Sequence, residues 1–113
     1  SHGESHVTDH SNAAVTGWYS PRTAAWDDRL CDVFTTPIDM LPKIVDSVGK
    51  CATAHALPGS PPIVAALGDQ QASLVGQGCV SPGLAKITFG TGGMLDTVIS
   101  AWSLITINLC NPQ

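Results

Sequence analysis

The sequence holds 113 residues (11.7 kDa), enough for one modest domain, yet only 12% of them are charged, about half the usual share. The net charge is −4, with five Lys plus Arg and no basic cluster, so the electrostatic footprint of a nucleic-acid binder is missing. Hydrophobic residues make up 43% without charge blocks, which excludes a disordered charged tail, and no apolar run reaches the roughly 18 residues of a membrane span.

The N-terminal stretch SHGESHVTDH lacks the apolar segment of a signal peptide, so the expectation is a soluble, cytoplasmic protein. Cys31, Cys51, Cys79 and Cys110 show no C-x-x-C spacing and are read as ordinary thiols. His2, His6 and His10 recur every four residues. Gly3 and the Ser/Thr/Asp-rich setting argue against a helix that would stack them, so they are read as a solvated terminal cluster, and no metal ligand is assigned.

In chain order, Asp9 or Ser11 can cap a short helical turn through Asn12 to Val15, closed by Gly17. Ser20-Pro21 within Trp18 to Arg22 reads as a turn. Trp26, Leu30, Val33 and Phe34 follow the spacing of an apolar helical stripe, and Asp27 and Asp28 suit the positive N-terminal end of that helix rather than forming a catalytic pair. Pro37 can open a further helical turn that brings Met40 and Leu41 to a core. Lys43 to Val48 allows a strand, and Leu57 to Pro62 is a loop by composition.

Ile63 to Leu67 is a continuous apolar run of strand length, the pattern of a strand buried on both faces in a parallel α/β sheet. Gly68, Asp69 and Gln70 follow it, then a run through Gln77 that can start a helix. An acid at the carboxyl end of such a strand faces the crevice where α/β sheets bind ligands. Asp69 can be a helix N-cap, or a general base that takes a proton from a substrate hydroxyl. Gln70 or Gln71 can hold a neighbouring hydroxyl. Ala85 to Ile99 reads as two strands flanking the turn Gly90-Thr91-Gly92-Gly93. That turn can be an ordinary hairpin connection, or a cradle whose backbone amides and Thr91 hydroxyl meet phosphate oxygens.

Between Cys51 and Gln113 only Asp69, Lys86 and Asp96 carry charge. This half cannot clothe a free surface of its own, so it is read as one layer of something larger or as a face against a partner.

Five motifs occur in order: TDHSNAA (8–14), WDDRLCDVF (26–34), MLPKIVDS (40–47), GDQQASLVGQG (68–78) and PGLAKITFGTG (82–92). Together they resemble the FGGY carbohydrate kinases, the glycerol kinase branch above all, over roughly residues 7 to 99. The most specific is Gly68-Asp69-Gln70-Gln71. The resemblance implies an α/β fragment of an actin-like, ribonuclease H-like ATPase fold at the junction of its two domains. Residues 1–80 would close the first domain, and 81–113 would open the second with a phosphate-contacting hairpin at 85–99. It further implies that Asp69 is the catalytic base and a substrate contact, that Gln70 binds substrate hydroxyls, and that Gly90, Thr91 and Gly92 contact ATP phosphate.

On the same resemblance the parent protein is an ATP-dependent kinase that makes glycerol 3-phosphate from glycerol. Its Mg²⁺-linked Asp would lie upstream of this chain, and the parent would be a homo-oligomer. The chain alone is expected to be incomplete and inactive. The alternatives are a kinase of another polyol or ketopentose, xylulokinase-like, and a non-catalytic remnant or interaction module. Residues 100–113 depart from the family pattern.

Overall fold

The computed structural model describes residues 1–90, 92–100 and 103–109, with residues 100 and 103–109 described through their backbone alone. It falls into two units, Ser1–Gly68 and Asp69–Gln113.

The first unit begins with strand β1 (Val7–Asp9) and helix α1 (His10–Ala14). Asp9 is extended (φ −95°, ψ 169°) and its carboxylate accepts from the Ser11 and Asn12 amides, so Asp9 rather than Ser11 is the cap. Gly17, at φ +83°, turns the chain away after α1. A two-residue ladder follows, β2 (Tyr19–Ser20) against β3 (Ala25–Trp26), so the expected Ser20-Pro21 turn is the tip of a small hairpin. Trp26 is anchored from its far side, where Nε1 donates to Pro42 O at 2.9 Å.

Helix α2 (Asp28–Val33) is capped by Asp27, whose side chain accepts from the Arg29 and Leu30 amides, with Asp28 in its first turn. The acidic start is therefore helix-terminal chemistry, as expected. The stripe behaves differently. Val33 and Phe34 are exposed, and Cys31 is the α2 residue that enters the core with Ala13. Burial pushes the Cys31 thiol pKa up, and the nearby Asp28, Asp32 and Asp27 add to the rise. Pro37 does open a short 3₁₀ turn, Ile38–Met40, but Met40 is exposed and does not reach a core.

Strand β4 (Lys43–Val45) pairs parallel with β1, Thr8 opposite Ile44. The next strands, β5 (Val48–Thr53) and β6 (Pro62–Ala65), form an antiparallel hairpin. Its register shifts between Val48 and Ala52, where Gly49 takes φ +134°, a backbone geometry that only glycine adopts readily. This corrects the reading of residues 63–67. The strand is antiparallel, stops at Ala65, and leaves Ile63 and Val64 exposed. A continuous apolar run marks a strand that has something to cover; among the described residues nothing covers Ile63 and Val64.

The second unit opens with α3 (Asp69–Gly76). Gly78 ends it at φ +77°: its N–H donates to Val75 O (2.9 Å), and the Cys79 N–H to Leu74 O (3.1 Å). This is the paired C-terminal bonding of a Schellman motif, and Leu74 is the buried apolar residue of the helix. A three-stranded antiparallel meander follows, β7 (Ala85–Phe89), β8 (Gly93–Ser100) and β9 (Ser103–Leu109), as expected for the strands flanking the glycine turn. Gly83 N–H to Val98 O and Val98 N–H to Leu84 O extend the β7–β8 ladder.

The alternation on β7 is inverted relative to a free-standing sheet. Lys86 is buried and Thr88 half-buried, whereas Ile87 and Phe89 point outward, Phe89 at 85% exposure. Cys31, Cys51 and Cys79 are free thiols; Cys110 lies outside the described residues.

Candidate functional site

Two polar constructions stand out, one in each unit. In the first, Asp9 is fully buried and its carboxylate is saturated. Oδ2 accepts from Ser11 N (3.1 Å), Ser11 Oγ (2.6 Å) and Ser47 Oγ (2.7 Å), and Oδ1 accepts from Asn12 N (3.1 Å) and Asn12 Nδ2 (2.6 Å). Burial pushes its pKa up, but the bonds from Ser11, Ser47 and Asn12 outweigh burial and hold it at about 2. The Ser11 hydroxyl also accepts from the Gly68 N–H at 2.8 Å. The residue immediately before Asp69 is thus tied to the buried carboxylate through one side chain.

The first unit also contains a cavity of about 400 Å³ lined by Trp26, Leu41, Pro42, Lys43 and Ile44, with Ala24 and Ala25. It holds none of the expected site residues. Among the described residues, no group of three or more His, Cys, Asp or Glu is placed to hold a metal ion, and no helix is long and apolar enough to cross a membrane.

The second unit carries the sequence-predicted residues. Asp69 occupies the first turn of α3, exposed, and Oδ1 accepts from the Gln70 N–H at 2.7 Å. A carboxylate in a helix's first turn suits the positive end of the helix dipole, and its other oxygen is open to a ligand. Gln70 is half-buried. Its Oε1 accepts from Lys86 Nζ (2.7 Å) and from Thr88 Oγ1 (3.2 Å). Lys86 Nζ also donates to Thr88 Oγ1 (2.7 Å) and lies 2.6 Å from Asp96 Oδ2, its register partner on β8.

The turn between β7 and β8 is closed by the Gly90 N–H donating to Gly92 O at 3.0 Å. Apart from its chain neighbours, no described atom lies within 4 Å of where a Cβ on Gly92 would sit. Thr91 lies outside the described residues.

Sequence reasoning singled out Asp69, Gln70 and the glycine turn, and it missed the group behind Gln70. Lys86, Thr88 and Asp96 supply that group. The available signal was charge placement: two of the three charges after Cys51, Lys86 and Asp96, face each other across the β7–β8 hairpin.

The model for the FGGY family of carbohydrate kinases, N-terminal domain, matches residues 2–76. The chain belongs to the FGGY family of carbohydrate kinases. It is 45% identical over 95 residues to a glycerol kinase of Nostoc sp., and 49% identical over 94 residues to a glycerol kinase of Desulfitobacterium hafniense. These stretches cover 82% and 80% of this chain and 19% of each relative, so the chain spans about a fifth of the length of the curated relatives it matches.

Among solved structures, Plasmodium falciparum glycerol kinase with ADP superposes with a TM-score of 0.72 at 32% identity, covering 80% of this chain and 19% of that one. Gluconate kinase from Lactobacillus acidophilus gives 0.69 at 24% identity over 80% of this chain and 20% of its own, which speaks to fold alone. The mixed helix–strand architecture is that of a fragment of the actin-like ATPase fold.

Proposed function

We propose that this chain is part of an ATP-dependent glycerol kinase in which Asp69 is the catalytic base. The observation that carries the reading is the exposed Asp69 carboxylate next to a half-buried Gln70 on the first turn of α3, in a chain whose matched relatives are glycerol kinases. On this reading residues 1–80 end the first kinase domain. Residues 81–113 begin the second, with the 85–99 hairpin presenting its glycine turn to ATP.

Asp69 accepts the proton of a terminal substrate hydroxyl as that oxygen forms a bond to the γ-phosphorus. The bond between that phosphorus and the bridging oxygen breaks, and ADP leaves with the electron pair. Gln70 holds a neighbouring hydroxyl and so limits the poses in which the reacting oxygen faces phosphorus. Gly90, Thr91 and Gly92 offer backbone, and Thr91 a hydroxyl, to the phosphates. A bound Mg²⁺ would neutralise charge on the transferring group, and the Asp that would ligate it is expected upstream of these residues in the parent. Asp96 is not a candidate, because its carboxylate is buried against Lys86.

The test is phosphorylation of glycerol by the intact parent. Asp69→Asn should lower kcat by about 10²-fold or more, the scale of a lost general base. Unchanged turnover would remove Asp69 from that role. Comparison of glycerol with xylulose and ribulose identifies the substrate, and a preference for a ketopentose would replace glycerol in this reading.

A further inference from the structure

Lys86 is 4% exposed, and its ammonium carries three protons and no acceptor. Three oxygens surround it: Asp96 Oδ2 at 2.6 Å, Gln70 Oε1 at 2.7 Å and Thr88 Oγ1 at 2.7 Å. Because Thr88 Oγ1 accepts from Lys86, its own proton is free to point at Gln70 Oε1, 3.2 Å away. Both lone pairs of Gln70 Oε1 are then used.

This settles which way the Gln70 amide faces on chemical grounds. A flipped amide would set its NH₂ group against an ammonium out of contact with water, donor against donor, and leave two Lys86 and Thr88 protons without acceptors. Asp96 matters because it places a carboxylate 2.6 Å from the buried ammonium, so the charge is paired where water cannot reach it. The strand geometry matters as well. Lys86 and Thr88 are two residues apart and share one face of β7, and the first turn of α3 lays Gln70 over that face.

We propose that Lys86 and Thr88 are positioning residues that lock the Gln70 amide with Oε1 inward, so that Gln70 meets substrate only as a hydrogen-bond donor through Nε2. Among the described residues Nε2 has no partner of its own, which leaves both of its protons for a ligand. The substrate atom at this position is therefore an acceptor, a hydroxyl or carbonyl oxygen. This inference rests on the reading of Gln70 as a hydroxyl-binding residue.

The experiment measures KM and kcat of the intact parent for glycerol, with glycerol binding followed by calorimetry in the absence of ATP. Thr88→Val keeps the ion pair while removing one bond to Oε1 and one acceptor of the lysine; glycerol KM should rise about fivefold or more, at least the worth of roughly one hydrogen bond. Lys86→Met combined with Asp96→Leu avoids leaving a lone buried charge and should raise glycerol KM about tenfold or more, with KM for ATP unchanged.

In the Gln70→Ala background neither Thr88→Val nor the Lys86/Asp96 pair should add a further loss.

Wild-type affinity for glycerol in folded Thr88→Val and Lys86→Met/Asp96→Leu, or an undiminished extra loss in the Gln70→Ala background, overturns the proposal while leaving the kinase assignment intact. If the double variant does not fold, Thr88→Val decides. A wild-type parent that neither binds nor phosphorylates glycerol overturns the function on which the inference rests, and the inference with it.

Discussion

Ser11 and Gly68, 57 positions apart, are joined by a single 2.8 Å hydrogen bond from the Gly68 N–H to the Ser11 hydroxyl. The same hydroxyl donates to buried Asp9 at 2.6 Å, so one serine satisfies a backbone amide and a carboxylate at once. Gly68 is itself buried, and an unpaired buried amide is costly. Ser11→Ala removes both bonds and should destabilise the intact parent by about 2 to 4 kcal/mol, one neutral and one charge-assisted contact. Urea unfolding followed by tryptophan fluorescence measures this, and a loss below about 0.5 kcal/mol would mean that water replaces the hydroxyl at no cost.

The Asp9 carboxylate also sets a pH dependence. Its pKa is held at about 2 in the folded chain, below its ordinary value of 3.8. A depressed acid stabilises the fold fully above its unfolded pKa and loses that contribution as pH falls through the folded one. Stability should therefore drop between about pH 4 and pH 2, by at most about 2 kcal/mol from this group. Asp9→Asn removes the titration and should flatten this part of the profile. An Asp9→Asn curve parallel to wild type over this range would assign the acid loss to other carboxylates.

How far the sequence spoke depends on the kind of signal. Local chemistry was legible: a cap at Asp9 or Ser11, the acidic start of α2 at Asp27 and Asp28, the turn at Gly17, the helix after Gly68 and the hairpin around Gly90 to Gly92 all follow from residue types within a few positions. Tertiary partners were not. Ile63 and Val64 carry the pattern of a strand buried on both faces, yet they pair antiparallel with β5 and lie exposed, because a pattern reports what a strand is built to bury against and not what this chain contains.

Met40 failed for the same reason. Lys86 was visible only as a rare charge; that it fixes the Gln70 amide required knowing that β7 turns its polar face toward α3.

The end of α3 gives a third prediction. Gly78 sits at φ +77°, where an L side chain is strained, while the space around a Cβ there is empty. Replacement therefore costs backbone strain without a clash. Gly78→Ala should lower stability by about 1 kcal/mol, and Gly78→Asn by less, since Asn tolerates the left-handed region better. Thermal melts of the intact parent carrying each variant provide the comparison. Equal losses for Ala and Asn would show that something other than φ sets the cost.

The last prediction concerns the 113 residues taken alone. Phosphoryl transfer is driven by positioning and by positive charge placed around the transferring group. Within Asp69–Gln113 the sequence contains one lysine, no arginine and no histidine, and all three protons of that lysine are engaged by Asp96, Gln70 and Thr88. No side-chain cation is left to stabilise a phosphate beside Asp69 in this unit. The outward face of β7, with Ile87 and Phe89 exposed, is at the same time an apolar surface uncovered among the described residues.

The chain by itself should accordingly show no glycerol-dependent ATP hydrolysis or transfer above background, and it should bind the apolar dye ANS where the intact parent binds little. Turnover by the isolated chain at a rate comparable to the parent would refute this, because it would require a source of transition-state charge that Asp69–Gln113 does not have.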